Sequence, residues 1–212
     1  LAMGVKKDKK VITTPISFAA TANCIEYCGG KIEFCDIDPE TLCIDINQIQ
    51  KKLSSSPKGT YQGIIPVDFA GYPYDMELLK KLADEFGLWI IEDSCHAPGG
   101  YYKDSKNIIQ YCGNGNYANA AIFSFHPVKH IACGEGGMIT TNDYETYQKL
   151  KLLRSHGIDK NPARLSEFPG PWFYEMKTLG YNYRLSDIHC ALGISQLDRV
   201  DSNIKKRKEI AQ

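Results

Sequence analysis

An unbroken apolar run, residues 88–91 (LWII), constrains the fold most strongly, because it has no polar residue at alternate positions. Such runs are typical of strands that are buried on both faces, as in parallel sheets. The pattern before it predicts a helix, with Asp75 as N-cap, apolar residues spaced three and four apart, and Gly87 at the end. Alternating strands and helices recur along the chain and predict an α/β domain with a mostly parallel sheet.

A second buried strand is predicted over residues 120–125, and the loop after it carries a lysine. Pro127 ends this strand, because proline has no N–H for the ladder. Lys129 follows, and the glycine-rich residues 134–137 turn the chain back. Burial lowers the pKa of a lysine from about 10.4, and the neutral amine can attack a carbonyl carbon to form a Schiff base. An ordinary surface charge is the alternative reading of this lysine.

Composition excludes several classes of protein. The 212 residues carry no net charge and are 43% hydrophobic, which argues against nucleic acid as the main partner. No apolar run is long enough to span a bilayer and no signal-peptide pattern is present, so we expect a cytoplasmic protein. The eight cysteines include no CxxC pair, which favours free thiols over a disulfide framework or a metal site.

Polar side chains follow three of the predicted strands. Asp68 follows the third strand, Asp93 and His96 follow the LWII strand, and Ser124 and Lys129 lie at the end of the AIFSF strand. Open α/β sheets bind ligands beyond the carboxyl ends of their strands. An aspartate can pair with a protonated ring nitrogen, a serine can bond a phosphate, and a lysine can hold an aldehyde as an imine. Pyridoxal 5'-phosphate (PLP) makes these demands. A helix cap and a core histidine remain the structural alternatives.

Five segments in order resemble the DegT/DnrJ/EryC1/StrS family of sugar aminotransferases, and within it the 4-aminotransferases of pseudaminic acid biosynthesis. They are VITTPISFAATAN (11–23), EDSCHAPG (92–99), FSFHPVKHIACGEGG (123–137), LRSHG (153–157) and LGYNYRLSDIHCALGISQLDRV (179–200). The resemblance implies the large domain of a type I, aspartate aminotransferase-like PLP-dependent transferase over residues 1–200. Residues 201–212 would begin a helix that leads to a small C-terminal domain, which is absent from this sequence.

The resemblance also implies roles for individual residues. Lys129 would be the Schiff-base lysine and proton shuttle, Asp93 the partner of the pyridine nitrogen, and His96 a neighbour of the cofactor. Ser124 would bond the phosphate, and the ring of Phe18 would stack on the cofactor.

Two further residues and the partners are implied in the same way. Asn182 would reach the phosphate bound by a neighbouring subunit of a homodimer with shared active sites, and Asp68 would lie near the ring. The expected substrates are a UDP-linked 4-keto-6-deoxy-N-acetylhexosamine and an amino-acid donor, with glutamate expected as the donor. Neither nucleic acid nor a membrane is expected as a partner.

The sequence departs from the family pattern at several positions. Cys95 and Pro98 stand where small or aliphatic residues are more common, and Ala132-Cys133 replaces a pair that is commonly threonine. Family members also carry a phosphate-cradling loop before the position of residue 1, so we expect this sequence to be an N-terminally truncated part of a longer protein. Two alternatives stay open: an inactive fragment, and a non-catalytic PLP- or sugar-binding regulator on the same fold.

Overall fold

The computed structural model describes residues 1–211, which form an α/β fold. The strands are β1 (Lys10–Thr13), β2 (Lys31–Phe34), β3 (Tyr61–Ile65), β4 (Trp89–Asp93), β5 (Tyr101–Lys103), β6 (Ile109–Tyr111), β7 (Ala120–Ser124), β8 (Gly137–Thr140), β9 (Ile158–Asp159) and β10 (Glu175–Met176). The α-helices are α1 (Ala19–Tyr27), α2 (Ile46–Ser54), α3 (Met76–Phe86), α4 (Tyr144–Leu153), α5 (Asp187–Leu197) and α6 (Val200–Ala211).

The central sheet has six strands in the order β2-β1-β3-β4-β7-β8. Its first five strands pair in parallel, and β8 runs antiparallel to β7. The mostly parallel sheet predicted from the LWII run is therefore confirmed. Gly63 of β3 pairs with Trp89 of β4, and a Cβ atom at Gly63 would lie 2.2 Å from the indole ring. Glycine is thus required where the ring covers the neighbouring strand.

Successive side chains of a strand point to opposite sides of the sheet. Both sides are covered by helices. On one face, Ile64 and Ile90 belong to a buried cluster that includes residues of α2 and α3. On the other face, Val11 and Ile65 pack with Ile25 of α1. Burial of each such side chain contributes about 1.5–3 kcal/mol, so the two clusters hold the strands and helices in their relative positions.

Helix α3 agrees with the sequence pattern at both ends. The Asp75 carboxylate accepts the N–H of Leu78 at 2.8 Å, and Gly87 ends the helix at φ 67°, in the left-handed region. None of the helices described for residues 1–211 is both long enough and apolar enough to cross a membrane.

The amphipathic pattern over residues 192–212 predicts one long helix, and this prediction is wrong, since α5 and α6 are separate helices. Arg199 donates its backbone N–H to Gln196, three residues back, at 3.1 Å, while its Nε lies 3.4 Å from the carbonyl oxygen of Ser195. The side chain thus takes the acceptor that an unbroken α-helix would offer to the backbone N–H. Gln212, the last residue of the predicted helix, lies outside the described residues.

Two of the motifs noted in the sequence, LRSHG and LGYNYR, contact each other through their glycines. A Cβ atom at Gly157 would lie 1.7 Å from the carbonyl oxygen of Thr178, and one at Gly180 would lie 2.3 Å from the backbone nitrogen of Gly157. Lys177 donates its backbone N–H to Gly157 at 2.8 Å. Close backbone packing, for which only glycine leaves room, accounts for both glycines.

We predict that Gly157→Ala destabilises the fold much more than Gly87→Ala does. The two glycines have almost the same φ, 68° and 67°, but no atom lies within 4 Å of a Cβ at Gly87. Gly87→Ala should therefore cost only the left-handed backbone strain, about 1–2 kcal/mol, whereas Gly157→Ala adds a steric clash and should cost about 3–5 kcal/mol. Urea unfolding measures both, and equal losses would contradict the backbone contact.

Candidate active site

Three parallel strands bring the predicted polar residues to one edge of the sheet. The backbone N–H of Asp68, beyond β3, donates to the carbonyl of Asp93 at 3.1 Å, and that of Ser94 donates to Ile122 of β7 at 3.0 Å. The ends of β3, β4 and β7 are thus joined by hydrogen bonds just beyond the ladder. Ser124 ends β7 on the same edge, so the sheet itself assembles the candidate site.

Asp93 lies at the centre of this edge and is only 5% exposed. Its Oδ2 accepts the hydroxyl of Thr21, from α1, at 2.7 Å, and its Oδ1 accepts the backbone N–H of Cys95 at 3.2 Å. A buried carboxylate is costly unless donors stabilise its charge, and two different segments supply those donors here. Each oxygen keeps a second lone pair for a cationic ligand.

His96 and Lys129 lie close enough to Asp93 to influence one another electrostatically. The pKa of the His96 imidazole is below its ordinary value, first because of burial and then because of the positive charge of Lys129, while Asp93 acts in the opposite direction. The pKa of the Cys95 thiol is raised by burial and by Asp93, with Lys129 opposing. A buried carboxylate, a histidine and a lysine from two loops therefore converge here.

Lys129 sits on a loop whose base is closed by backbone hydrogen bonds. Phe125 donates its N–H to Gly136 and accepts that of Cys133, both at 2.9 Å, and Lys129 donates its own N–H to His126 at 2.9 Å. The Lys129 side chain is half-buried rather than free in solvent. The loop therefore fixes where the lysine leaves the sheet, as the proline and the glycine-rich turn predicted.

An open cavity of about 680 Å³ adjoins this loop, on the side of α6. Lys129 and His130 line it from the loop, and Lys206 and Arg207 line it from α6. The cationic side chains give the cavity a positive wall beside the lysine.

Two of the predicted residues are exposed and have no hydrogen bond to the others within residues 1–211. Phe18 is 75% exposed at the N-cap of α1, one turn before Thr21. Asn182 forms an isolated antiparallel bridge with Ser155, on the segment that packs against Gly157. Phe18 is thus connected to the carboxyl edge of the sheet by α1, whose Thr21 bonds Asp93. No described contact joins Asn182 to that edge.

Asp68 lies beneath the site and is 1% exposed. Its Oδ2 accepts the Ser94 hydroxyl at 2.9 Å, and its Oδ1 is buried with no hydrogen-bond partner among residues 1–211. One carboxylate oxygen each of Asp68 and Glu92 and the Sγ atom of Cys112 lie within 4.8 Å of one another. Burial, followed by the charge of Glu92, raises the pKa of Asp68 well above its ordinary range. Two buried acids thus lie together beneath the site, and Asp68 supports the loop of Asp93 through the hydroxyl of Ser94.

Thr21 and Glu92 were not predicted as site residues, although Thr21 holds Asp93 and Glu92 lies beside Asp68. Thr21 and Ile25 are the buried residues of α1, and their spacing of four places a hydroxyl on the face of the helix that packs on the sheet. Glu92 accepts the backbone N–H of Gly113 at 3.0 Å. A polar residue among the buried positions of α1 was the available signal for Thr21.

The sequence and the fold have close counterparts in known proteins. The family model described as "DegT/DnrJ/EryC1/StrS aminotransferase family" matches residues 1–212. A UDP-4-amino-4,6-dideoxy-N-acetyl-beta-L-altrosamine transaminase of Campylobacter jejuni is 44% identical over 210 residues, which are 99% of this chain and 51% of the relative.

Solved structures agree with this similarity. PseC of Helicobacter pylori, an aminotransferase involved in pseudaminic acid biosynthesis, matches with a TM-score of 0.80 and 35% identity over 99% of this chain and 52% of its own. A protein of Streptococcus pneumoniae, described as a candidate sugar aminotransferase and solved in its pyridoxamine phosphate (PMP) form, matches with a TM-score of 0.83 and 28% identity. The match covers 99% of this chain and 55% of that protein. The chain spans about half the length of these relatives.

We predict that Asp68→Asn flattens the dependence of stability on pH. Because burial raises the pKa values of Asp68 and Glu92, the folded state binds more protons than the unfolded state above the ordinary carboxyl range. Wild-type stability should therefore be greatest near or below pH 4 for this pair and fall as pH rises through the folded-state pKa values. The amide of Asp68→Asn can donate to Glu92 without a titrating proton.

Urea unfolding between pH 5 and pH 8 tests this, with Asp36→Asn, a change at an exposed aspartate, as the control. The free energy of unfolding of wild type and control should decrease more over this range than that of Asp68→Asn. Parallel curves for all three proteins would show that the raised pKa of Asp68 does not contribute to the dependence of stability on pH.

Proposed function

The chain belongs to the DegT/DnrJ/EryC1/StrS aminotransferase family, and we propose that it forms the PLP-binding part of an enzyme that aminates a nucleotide-linked keto sugar. One observation carries the proposal: the buried carboxylate of Asp93 is held by two donors at the carboxyl end of β4, beside the strand β7 that leads to Ser124 and Lys129. Open α/β sheets bind their ligands at this edge.

The donor set fits the chemistry of the cofactor. PLP supplies an electron sink, provided that its pyridine nitrogen stays protonated and its aldehyde carbon is held by an amine. A carboxylate 4 Å from a protonated ring would attract it by about 4 kcal/mol at an effective dielectric constant of 20, before desolvation is subtracted. Asp93 is buried and already has donors on both oxygens, so it can supply that charge with little rearrangement.

Each remaining residue has a separate task in this proposal. Lys129 would hold the aldehyde carbon of the cofactor, and its Nζ would carry the proton that amino transfer has to move. His96, whose pKa burial lowers, would lie beside the cofactor. Ser124 would donate its hydroxyl to the phosphate. Phe18, with its ring open to solvent, would stack on the cofactor ring.

Asn182 completes the site only in a homodimer. Its exposed side chain lies away from the Asp93 edge in one copy of the chain, which agrees with contact to the phosphate held by a second copy. Asp68 acts from beneath the ring site through Ser94 rather than by direct contact.

The proposed substrates are a UDP-linked 4-keto-6-deoxy-N-acetylhexosamine and, as amino donor, glutamate. The name of the Campylobacter jejuni relative supports the nucleotide-linked amino sugar, and the PMP form of the Streptococcus pneumoniae structure supports an amino form of the cofactor. These substrates are proposed for the whole protein. The Campylobacter jejuni relative is about twice as long as this chain.

We predict that Lys129→Ala lowers the rate of transamination by about 10²–10⁴-fold. Without Lys129, no positioned base remains to move the proton that amino transfer requires. Lys58→Ala is the matched control, since Lys58 is exposed in the turn before β3, at the opposite edge of the sheet. Amino transfer from glutamate to the keto sugar, followed by mass spectrometry, measures both variants. Wild-type turnover by Lys129→Ala would refute the role of the lysine.

The same assay separates an enzyme from a regulator on this fold. An enzyme converts the keto sugar in amounts that exceed the protein, whereas a regulator binds PLP or the sugar without turnover. Binding of PLP without turnover in the wild-type protein would therefore refute the proposed activity while leaving the cofactor site intact.

A further inference from the structure

We propose that Thr21 is a positioning residue of this site, which holds the Asp93 carboxylate in the orientation that a protonated ring nitrogen requires. The inference rests on the proposed function, because it assumes that Asp93 is the partner of that nitrogen. It goes beyond that function by assigning a role to a helix residue that is not expected to touch the cofactor.

The hydrogen bond between Thr21 and Asp93 is short and shielded from water. Thr21 Oγ1 lies 2.7 Å from Asp93 Oδ2, and both residues are 5% exposed. An ionised carboxylate only accepts hydrogen bonds, so the hydroxyl must be the donor. Bonds of this kind, with one charged partner, are about twice as strong as neutral ones.

A second hydroxyl fixes the direction of this bond. Ser17 Oγ lies 2.7 Å from Thr21 Oγ1, and Ser17 is only partly buried. Because Ser17 donates to Thr21, the hydrogen of Thr21 is left for Asp93. Ser17, Thr21 and Asp93 therefore form a directed chain of hydrogen bonds. It runs from the residue before the N-cap of α1 to the end of β4.

The geometry also explains why one donor would not be enough. Cys95 holds Oδ1 from the loop after β4 at 3.2 Å, and Thr21 holds Oδ2 from α1 at 2.7 Å. Two donors from different elements prevent rotation of the carboxyl group about its Cβ–Cγ bond. With the backbone donor alone, the group could turn, and its charge would be less well stabilised.

Two substitutions at Thr21 separate this role from simple packing. Thr21→Val keeps the shape of the side chain and loses the hydroxyl, whereas Thr21→Ser keeps the hydroxyl and loses a methyl group. The measurement is the Kd of PLP, by absorbance titration of the purified protein, together with urea unfolding of the cofactor-free protein. Loss of a hydrogen bond to a charged group should raise the Kd of Thr21→Val by about 10- to 100-fold.

Thr21→Ser should stay within about threefold of wild type, since the donor remains. A packing role predicts the reverse order, with Thr21→Ser weaker than Thr21→Val because the lost methyl leaves a cavity. Ser17→Ala should raise the Kd by about two- to fivefold, through the loss of a neutral hydrogen bond one step further away.

The outcomes separate this inference from the proposed function. If wild type binds PLP and Thr21→Val binds it equally well, Thr21 has no positioning role and the proposed function stands. If Thr21→Val does not fold, Ser17→Ala takes over the test, and an unchanged Kd for that variant overturns the inference. If wild type does not bind PLP, the proposed cofactor and this inference both fail.

Discussion

The negative charge of Asp93, buried at the end of β4, is the constraint on which the rest of the site depends. A carboxylate with 5% exposure survives only where donors and cations surround it. Thr21 and the N–H of Cys95 supply two donors from segments that are far apart in the sequence. The position of α1 on the sheet and the turn after β4 therefore both stabilise one buried carboxylate.

The sheet provides this arrangement because its strands are parallel. Their carboxyl ends meet at one edge, so side chains that follow β3, β4 and β7 must lie close together. A second layer below the edge, where Asp68 lies beside Glu92, holds the loop after β4 through Ser94. The loop of Lys129 lines a cavity with further basic residues, which suits an anionic ligand.

Features that depend on local pattern could be predicted from the sequence, and features that depend on contacts between distant segments could not. The apolar run before Asp93, the cap at Asp75 and the proline after β7 each act within a few residues, and the structure agrees with them. The break between α5 and α6 was missed because the amphipathic pattern continues across residues 198 and 199, where the structure shows Arg199 Nε at the carbonyl oxygen of Ser195. Thr21 was missed because its partner is 72 residues away. The cofactor roles of all seven site residues remain predictions, since each needs a bound ligand or a second copy: Lys129, Asp93, His96, Ser124, Phe18, Asn182 and Asp68.

Reductive trapping tests the central claim most directly. The purified protein would be mixed with PLP, reduced with borohydride, digested and mapped by mass spectrometry. The proposed site predicts a visible absorbance band before reduction and a stable phosphopyridoxyl label on Lys129 afterwards. A folded protein that shows no band, or that carries the label on several exposed lysines and not on Lys129, would contradict the assignment of this edge of the sheet as the cofactor site.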